Sequence, residues 1–252
     1  MQPIHPFPAR MAPDTVSEWL DNLPTGARVL DPMCGSGVVV RQSAMRGHAV
    51  WGFDIDPLAV LMSKVWTRKG SHSELAEASR RLVKLAGSLR RYKHTDLTWV
   101  KACAETRSFI EYWFVEPQRS DLSRLARAIE LSHSLEKGWI CDCFELALSR
   151  IIVTKYAGAS LAWDVSHSRP HKKKSENDFD VFEGFLRSVD RLSTLLDADR
   201  LPSGGMVRQG DCRRLGPVKP GSIDAVITSP PYLNAIDYMR GHKLALVWLG
   251  YS

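Results

Sequence analysis

Val29-Leu30-Asp31-Pro32-Met33-Cys34-Gly35-Ser36-Gly37 changes character twice within a short span. Val29 and Leu30 read as the end of a buried strand, and Pro32 cannot continue it because it lacks an N–H. Gly35 and Gly37 then allow a sharp turn and a close approach of backbone to a ligand. Val38 to Arg46 follows as a helix that stops at Gly47. Strand, glycine turn and helix predict an α/β domain with a ligand cradle at the turn. A dinucleotide fingerprint would place a third glycine three residues after Gly37. That position is Val40, which weakens the dinucleotide reading.

A second stretch near the end of the chain is Ile223-Asp224-Ala225-Val226-Ile227-Thr228-Ser229-Pro230-Pro231-Tyr232. Asp224 to Ile227 reads as a short strand. The two prolines end it, and a stiff extended turn carries Ser229 and Tyr232 at its tip. Tips beyond the carboxyl ends of strands are where open α/β sheets bind ligands. The plainer reading is a Pro-Pro loop with a tyrosine packed on it.

Other segments fit the same plan. His5-Pro6-Phe7-Pro8-Ala9-Arg10-Met11-Ala12-Pro13 is proline-rich and predicts an extended arm, or else a surface tail. Pro13 to Leu23 reads as a helix with Val16, Trp19, Leu20 and Leu23 on one stripe. A strand over Ala49 to Phe53 ends in Asp54-Ile55-Asp56-Pro57. A carboxylate there, roughly 20 residues past the glycine turn, suits a ribose diol. Asp56 before Pro57 reads as a helix cap for residues 57–68. Met206 to Gln209 reads as a third strand, followed by Gly210-Asp211.

In this order the motifs resemble those of the S-adenosylmethionine-dependent amino-methyltransferases of nucleic acids. The resemblance covers residues 1–68 and 206–252. It implies that Asp31, Pro32, Gly35 and Gly37 cradle S-adenosyl-L-methionine, a D-P-x-x-G-x-G turn. It implies that Asp54 holds the ribose, Ile55 packs on the adenine and Asp211 accepts from its amino group. The arm would lie over the methionine end, with Phe7 and Arg10 nearby. Ser229, Pro230, Pro231 and Tyr232 would form the catalytic loop. The serine form of that loop is most similar to the cytosine-N4 enzymes, and some adenine-N6 enzymes share it.

The implied fold is a Rossmann-like α/β sheet with a helical insertion, apparently truncated after the fourth core strand. The expected division is residues 1–70 for the first part of the core, 71–202 for the insertion and 203–252 for the rest of the core. Helical periodicity runs through 74–92, 120–136, 139–156 and 177–197 of the insertion, and Asp237 to Leu249 is periodic as well. Trp99, Phe109, Tyr112, Trp113, Phe114, Trp139 and Phe144 read as the insertion's own core. Ser166 to Lys174 is basic and helix-poor, either a solvated loop or a phosphate-tracking one through Arg169, Lys172, Lys173 and Lys174.

Composition sets the remaining bounds. The 252 residues are 44% hydrophobic and 25% charged, an ordinary globular balance. The formal charge of +6 mildly favours an acidic partner. The five cysteines have no disulfide-framework or zinc-finger spacing, which points to reduced thiols, no metal and a cytoplasmic location. No apolar run reaches membrane-spanning length, and no basic-then-apolar leader precedes the arm. The expected function is methylation of an exocyclic amino group of a DNA base, cytosine N4 or adenine N6. The alternatives are a tRNA guanine-N2 methyltransferase and a non-catalytic nucleic-acid-binding fragment. Missing sheet strands would be supplied by a second chain or a C-terminal segment.

Overall fold

The computed structural model of the chain describes residues 3–7, 10–68, 70–154, 158–163, 170–172, 174–197, 205–231 and 238–251. The chain divides into two compact units, one of residues 1–71 and 194–236, the other of residues 72–193 and 237–252.

The first unit is a parallel α/β sheet. Its elements are α1 (Pro13–Asp21), β1 (Arg28–Asp31), α2 (Val38–Met45), β2 (Ala49–Asp54), α3 (Pro57–Trp66), and two later strands. The second unit contributes α4 (His72–Ser88), α5 (Thr98–Ala102), α6 (Ala104–Trp113), α7 (Gln118–Ser132), α8 (Gly138–Ile152), the strands β3 (Ala162–Trp163) and β4 (His171–Lys172), and α9 (Val181–Asp197). The chain then supplies β5 (Gly205–Gln209) and β6 (Ala225–Val226) to the first sheet, and α10 (Tyr238–Leu246) to the helical unit.

The sheet order is β5-β2-β1-β6, with every pairing parallel. The chain steps outward from β1 to β2 to β5 and then returns to the other side of β1. Strand order therefore reverses between β1 and β6, the crevice where open α/β sheets place ligands. This is the Rossmann-like arrangement that the motif resemblance implied, with four core strands among the described residues.

Helix α2 is buried from Val38 through Ala44. Val40 explains why no glycine is needed there. A Cβ on Gly52 would lie 2.8 Å from one Val40 methyl, and a Cβ on Gly205 would lie 2.8 Å from the other. The strands supply the glycines and the helix the side chain, so helix and sheet still approach closely. Arg41 is buried in the same core, where its guanidinium donates to the Trp66 carbonyl and lies over the Trp66 ring. Asp56 caps α3, accepting from Leu58 N–H at 2.9 Å with Pro57 at the first turn.

The helical unit is built on α8. Ile140, Cys141, Cys143, Phe144, Leu146, Ala147, Leu148, Ile151 and Ile152 are all buried, so this helix is apolar on most sides because it is enclosed. Phe144 meets Phe185 of α9 at 6.0 Å between ring centroids. The sequence reading kept residues 203–252 together as the rest of the core, with Asp237 to Leu249 helical, whereas the structure groups residues 237–252 with the helical unit. The reason is packing: Leu244, Ala245, Leu246, Val247 and Trp248 are buried, Trp248 stands edge-on to Phe114 at 5.1 Å, and Trp99 Nε1 donates to the Val247 carbonyl at 2.9 Å.

The insertion's aromatic residues do not all form its core. Phe114 and Phe144 are fully buried, but Tyr112 is 55% exposed. Likewise, the basic run is not wholly loop. His171 and Lys172 form β4, which pairs antiparallel with β3 through Ala162↔Lys172 and Trp163↔His171. The amide of Leu161, just before β3, donates to the Trp113 carbonyl at 2.8 Å, which ties this hairpin to the end of α6.

Candidate cofactor and catalytic site

The four strands end at one edge of the sheet, and the motif residues follow their carboxyl ends. Asp31 closes β1, Asp54 closes β2, Asp211 follows β5 and Ser229 follows β6. Parallel pairing alone places these positions on the same side.

The glycine turn after β1 is over-determined. Gly35 and Gly37 have φ of 50° and 83°, the left-handed region that favours glycine. A Cβ on Gly37 would also lie 2.5 Å from Ser63 Oγ and 2.9 Å from Ser63 Cα. Ser63 braces the turn from α3, donating its hydroxyl to the Gly35 carbonyl at 3.1 Å. The Cys34 amide donates to the Phe53 carbonyl at 2.8 Å, so the turn is bonded back onto β2. Sequence reasoning missed Ser63. Its signal was a lone hydroxyl within the apolar face of α3, where a buried polar group needs a partner.

Asp54 joins the turn to the next helix. One carboxylate oxygen accepts from Gly35 N–H at 2.8 Å, and the other accepts from Asp56 N–H at 2.9 Å. Burial raises its pKa above the ordinary carboxylate value, against the opposing pull of these backbone donors. Each oxygen retains capacity for another donor, as two hydroxyls of a vicinal diol would provide. Next to it, Ile55 is 71% exposed, an apolar face beyond the strand end that a flat heteroaromatic ring would cover. These features fit S-adenosylmethionine.

The arm docks onto the turn. Ile4 and His5 are buried, and a Cβ on Gly35 would meet the Phe7 ring at 3.3 Å. Phe7 therefore lies against Gly35, as an arm rather than a tail. Arg10 is exposed, and Pro32 directly follows Asp31. Asp211 is bound by its own neighbour: both its oxygens accept from Arg213 Nε at 3.0 Å. This partnership holds its pKa down to about 2.

The loop after β6 is linked to the turn through Asp31. Thr228 Oγ1 donates to Asp31 Oδ1 at 2.7 Å, and Met33 N–H donates to the same oxygen at 3.2 Å. Asp31 is only 2% exposed, and burial pushes its pKa up to about 7 despite these donors. Ser229, Pro230 and Pro231 are exposed, and Tyr232 lies outside the described residues. Thr228 was not singled out from sequence, although its place just before the prolines marks it. Cys34, in the turn, is buried and its thiol pKa is pushed well up, which disfavours the nucleophilic thiolate.

In the helical unit, Lys172 Nζ lies 5.0 Å from the centroid of the exposed Tyr112 ring, and Lys174 Nζ lies 6.0 Å from that of Trp163. Arg169 and Lys173 lie outside the described residues. Among the described residues, no group of three or more side chains is arranged to hold a metal ion, and no helix is long and apolar enough to cross a membrane.

No family model matches the chain. It is 24% identical to Type II methyltransferase M.BsoBI of Geobacillus stearothermophilus over an alignment covering 97% of this chain and 51% of that protein. It is 25% identical to Type II methyltransferase M.MvaI of Kocuria varians, covering 97% of this chain and 56% of the relative. The chain thus spans about half the length of the curated relatives it matches. The rRNA methyltransferase aviRa from Streptomyces viridochromogenes aligns with a TM-score of 0.32 at 16% identity, covering 91% of this chain and 63% of that one. The two sequence relationships, at low identity, are both to methyltransferases.

Proposed function

We propose that this chain carries the cofactor-binding and amino-acceptor loops of an S-adenosylmethionine-dependent methyltransferase acting on an exocyclic amino group of a DNA base, cytosine N4 or adenine N6. One observation carries the reading. The glycine turn and the Ser229-Pro230-Pro231 loop leave adjacent strands at the point of strand-order reversal, and one carboxylate oxygen of Asp31 bonds to both segments. The relationship to two type II methyltransferases supports the same class.

The residues divide the work as follows. Gly35, Gly37, Asp54 and Ile55 would hold the cofactor, with Phe7 over the turn and Asp211 toward the adenine. Bound there, the cofactor supplies an electrophilic methyl group. A base amino nitrogen is a weak nucleophile because its lone pair is conjugated with the ring. Ser229 Oγ and the Pro230 carbonyl would accept the amino hydrogens and favour a more localised lone pair. The prolines keep these acceptors in place before the base arrives. Tyr232 would stack on a base turned out of the helix. Lys172 and Lys174, beside Tyr112 and Trp163, are the proposed phosphate contacts, together with Arg169 and Lys173.

Incubation with labelled cofactor and either duplex DNA or tRNA tests this. Label is expected in DNA, and the Ser229→Ala substitution should slow transfer about tenfold or more at unchanged cofactor affinity, since it removes an acceptor used in the transition state. Label in tRNA alone would move the substrate to RNA. Wild-type rates in Ser229→Ala would remove the loop from the chemistry.

A further inference from the structure

We propose that Asp31 is a positioning residue for the loop bearing Ser229, acting through the hydroxyl of Thr228. Its consequence for methyl transfer rests on the reading of that loop as the amino acceptor. The need for such a link follows from the sheet. Strand β6 pairs with β1 only through Val29↔Ala225 and Leu30↔Val226. Ile227 N–H donates to the Leu30 carbonyl at 3.0 Å, and beyond it the ladder stops. Pro230 and Pro231 have no N–H to extend it. The bond from Thr228 Oγ1 to Asp31 Oδ1, 2.7 Å long, continues the attachment by one more residue.

The opposite end of the same strand pair is fixed in a comparable way. Arg28 donates to Asp224 from its backbone N–H at 2.8 Å, from Nε at 2.9 Å and from Nη2 at 2.6 Å. The backbone also joins there, Asp224 N–H donating to the Arg28 carbonyl at 2.8 Å, and a side-chain clamp stands at each end of a short ladder. Register matters here, because a slip by one residue would turn Ser229 to the other face of the sheet. The two clamps differ in environment. Arg28 and Asp224 are substantially exposed, so their pair is screened by solvent. Asp31 is almost fully buried, where its hydrogen bonds are strong and where an isolated carboxylate would be costly. The oxygen that takes Thr228 also takes Met33 N–H, so the loop is referenced to the cofactor turn rather than to the strand alone.

Amide hydrogen exchange on the full chain tests the link without turnover. In Thr228→Val, which keeps the shape and removes the hydroxyl, exchange at Ile227, whose amide donates to the Leu30 carbonyl, should quicken about tenfold, the effect of losing one buried hydrogen bond. Thr228→Ser should stay near wild type. Asp31→Asn retains an acceptor oxygen and should exchange closer to wild type than to Thr228→Val. Unchanged exchange in Thr228→Val overturns the proposal, and so does a serine variant as fast as the valine one. In single-turnover assays at saturating cofactor, Thr228→Val should lower the transfer rate about tenfold at unchanged cofactor affinity. A wild-type chain that binds no cofactor, or transfers no methyl group, counts against the methyltransferase reading. That result comes from the wild type alone, whereas the exchange comparison judges the Asp31–Thr228 link.

Discussion

At the scale of single residues, the most informative group is Asp31, a carboxyl buried at the end of a strand. Burial is the largest influence on it and moves its pKa to about 7, with the nearby Asp54 charge adding to the shift and the donors from Thr228 and Met33 opposing it. The folded chain therefore binds a proton at Asp31 over a pH range in which the unfolded chain, at the ordinary value, has lost it. Stability from this group is fully present below about pH 4 and is lost as pH rises from about 4 to about 7. The loss across that window is at most about 4 kcal/mol. Asp31→Asn should remove this slope, so the variant's advantage over wild type should grow between those pH values and then level off. Urea denaturation at several pH values measures it, and parallel curves for the two proteins would refute it.

Among the elements, the β3–β4 hairpin is the one whose role the sequence left most open. It carries Lys172, with Lys174 beyond its end, each beside a partly exposed aromatic ring, and it is attached to α6 through Leu161. If it tracks phosphates, replacing Lys172 and Lys174 by Ala should weaken DNA binding equally across sequences. It should also reduce the slope of log affinity against log salt by about 2, roughly one per phosphate contact. Fluorescence anisotropy at a series of salt concentrations decides this, and an unchanged slope would return the run to a solvated surface. Strand β6 raises a different matter. Val226 is 60% exposed on the outer strand of the described sheet. Among the described residues, β6 is paired on one side only.

For the whole molecule, the proposed cofactor site would draw on the arm, the glycine turn, β2 and the residues after β5. A ligand held by so many separated segments binds the folded state and not the unfolded one. S-adenosylmethionine at a hundred times its dissociation constant should therefore raise stability by about 2.7 kcal/mol, visible as an upward shift of the melting temperature. Asp54→Ala removes the acceptors for a ribose and also frees the Gly35 amide, so the shift should largely vanish. A full shift in that variant would remove Asp54 from the cofactor site.

The reach of the sequence can be traced residue by residue. The strand-turn-helix around Gly35 and Gly37, the cap at Asp56 and the longer helices α4, α7, α8 and α9 were legible because each depends on neighbours a few residues away, whereas α5 and α6 were not read from the sequence. Periodicity, a capping carboxylate and a left-handed glycine are local signals. Sheet order, the bracing of the turn by Ser63 and the bond between Thr228 and Asp31 were not legible, because the partners stand far apart in sequence. The same holds for Val40, whose acceptance at a glycine-like position depends on Gly52 and Gly205 of two other strands. Local chemistry determined the elements and the motif-bearing turns. The tertiary structure alone decided that residues 237–252 join the helical unit, that Tyr112 is exposed, and that one buried carboxylate connects the two loops. Burial and long-range hydrogen bonds exist only once the chain has packed.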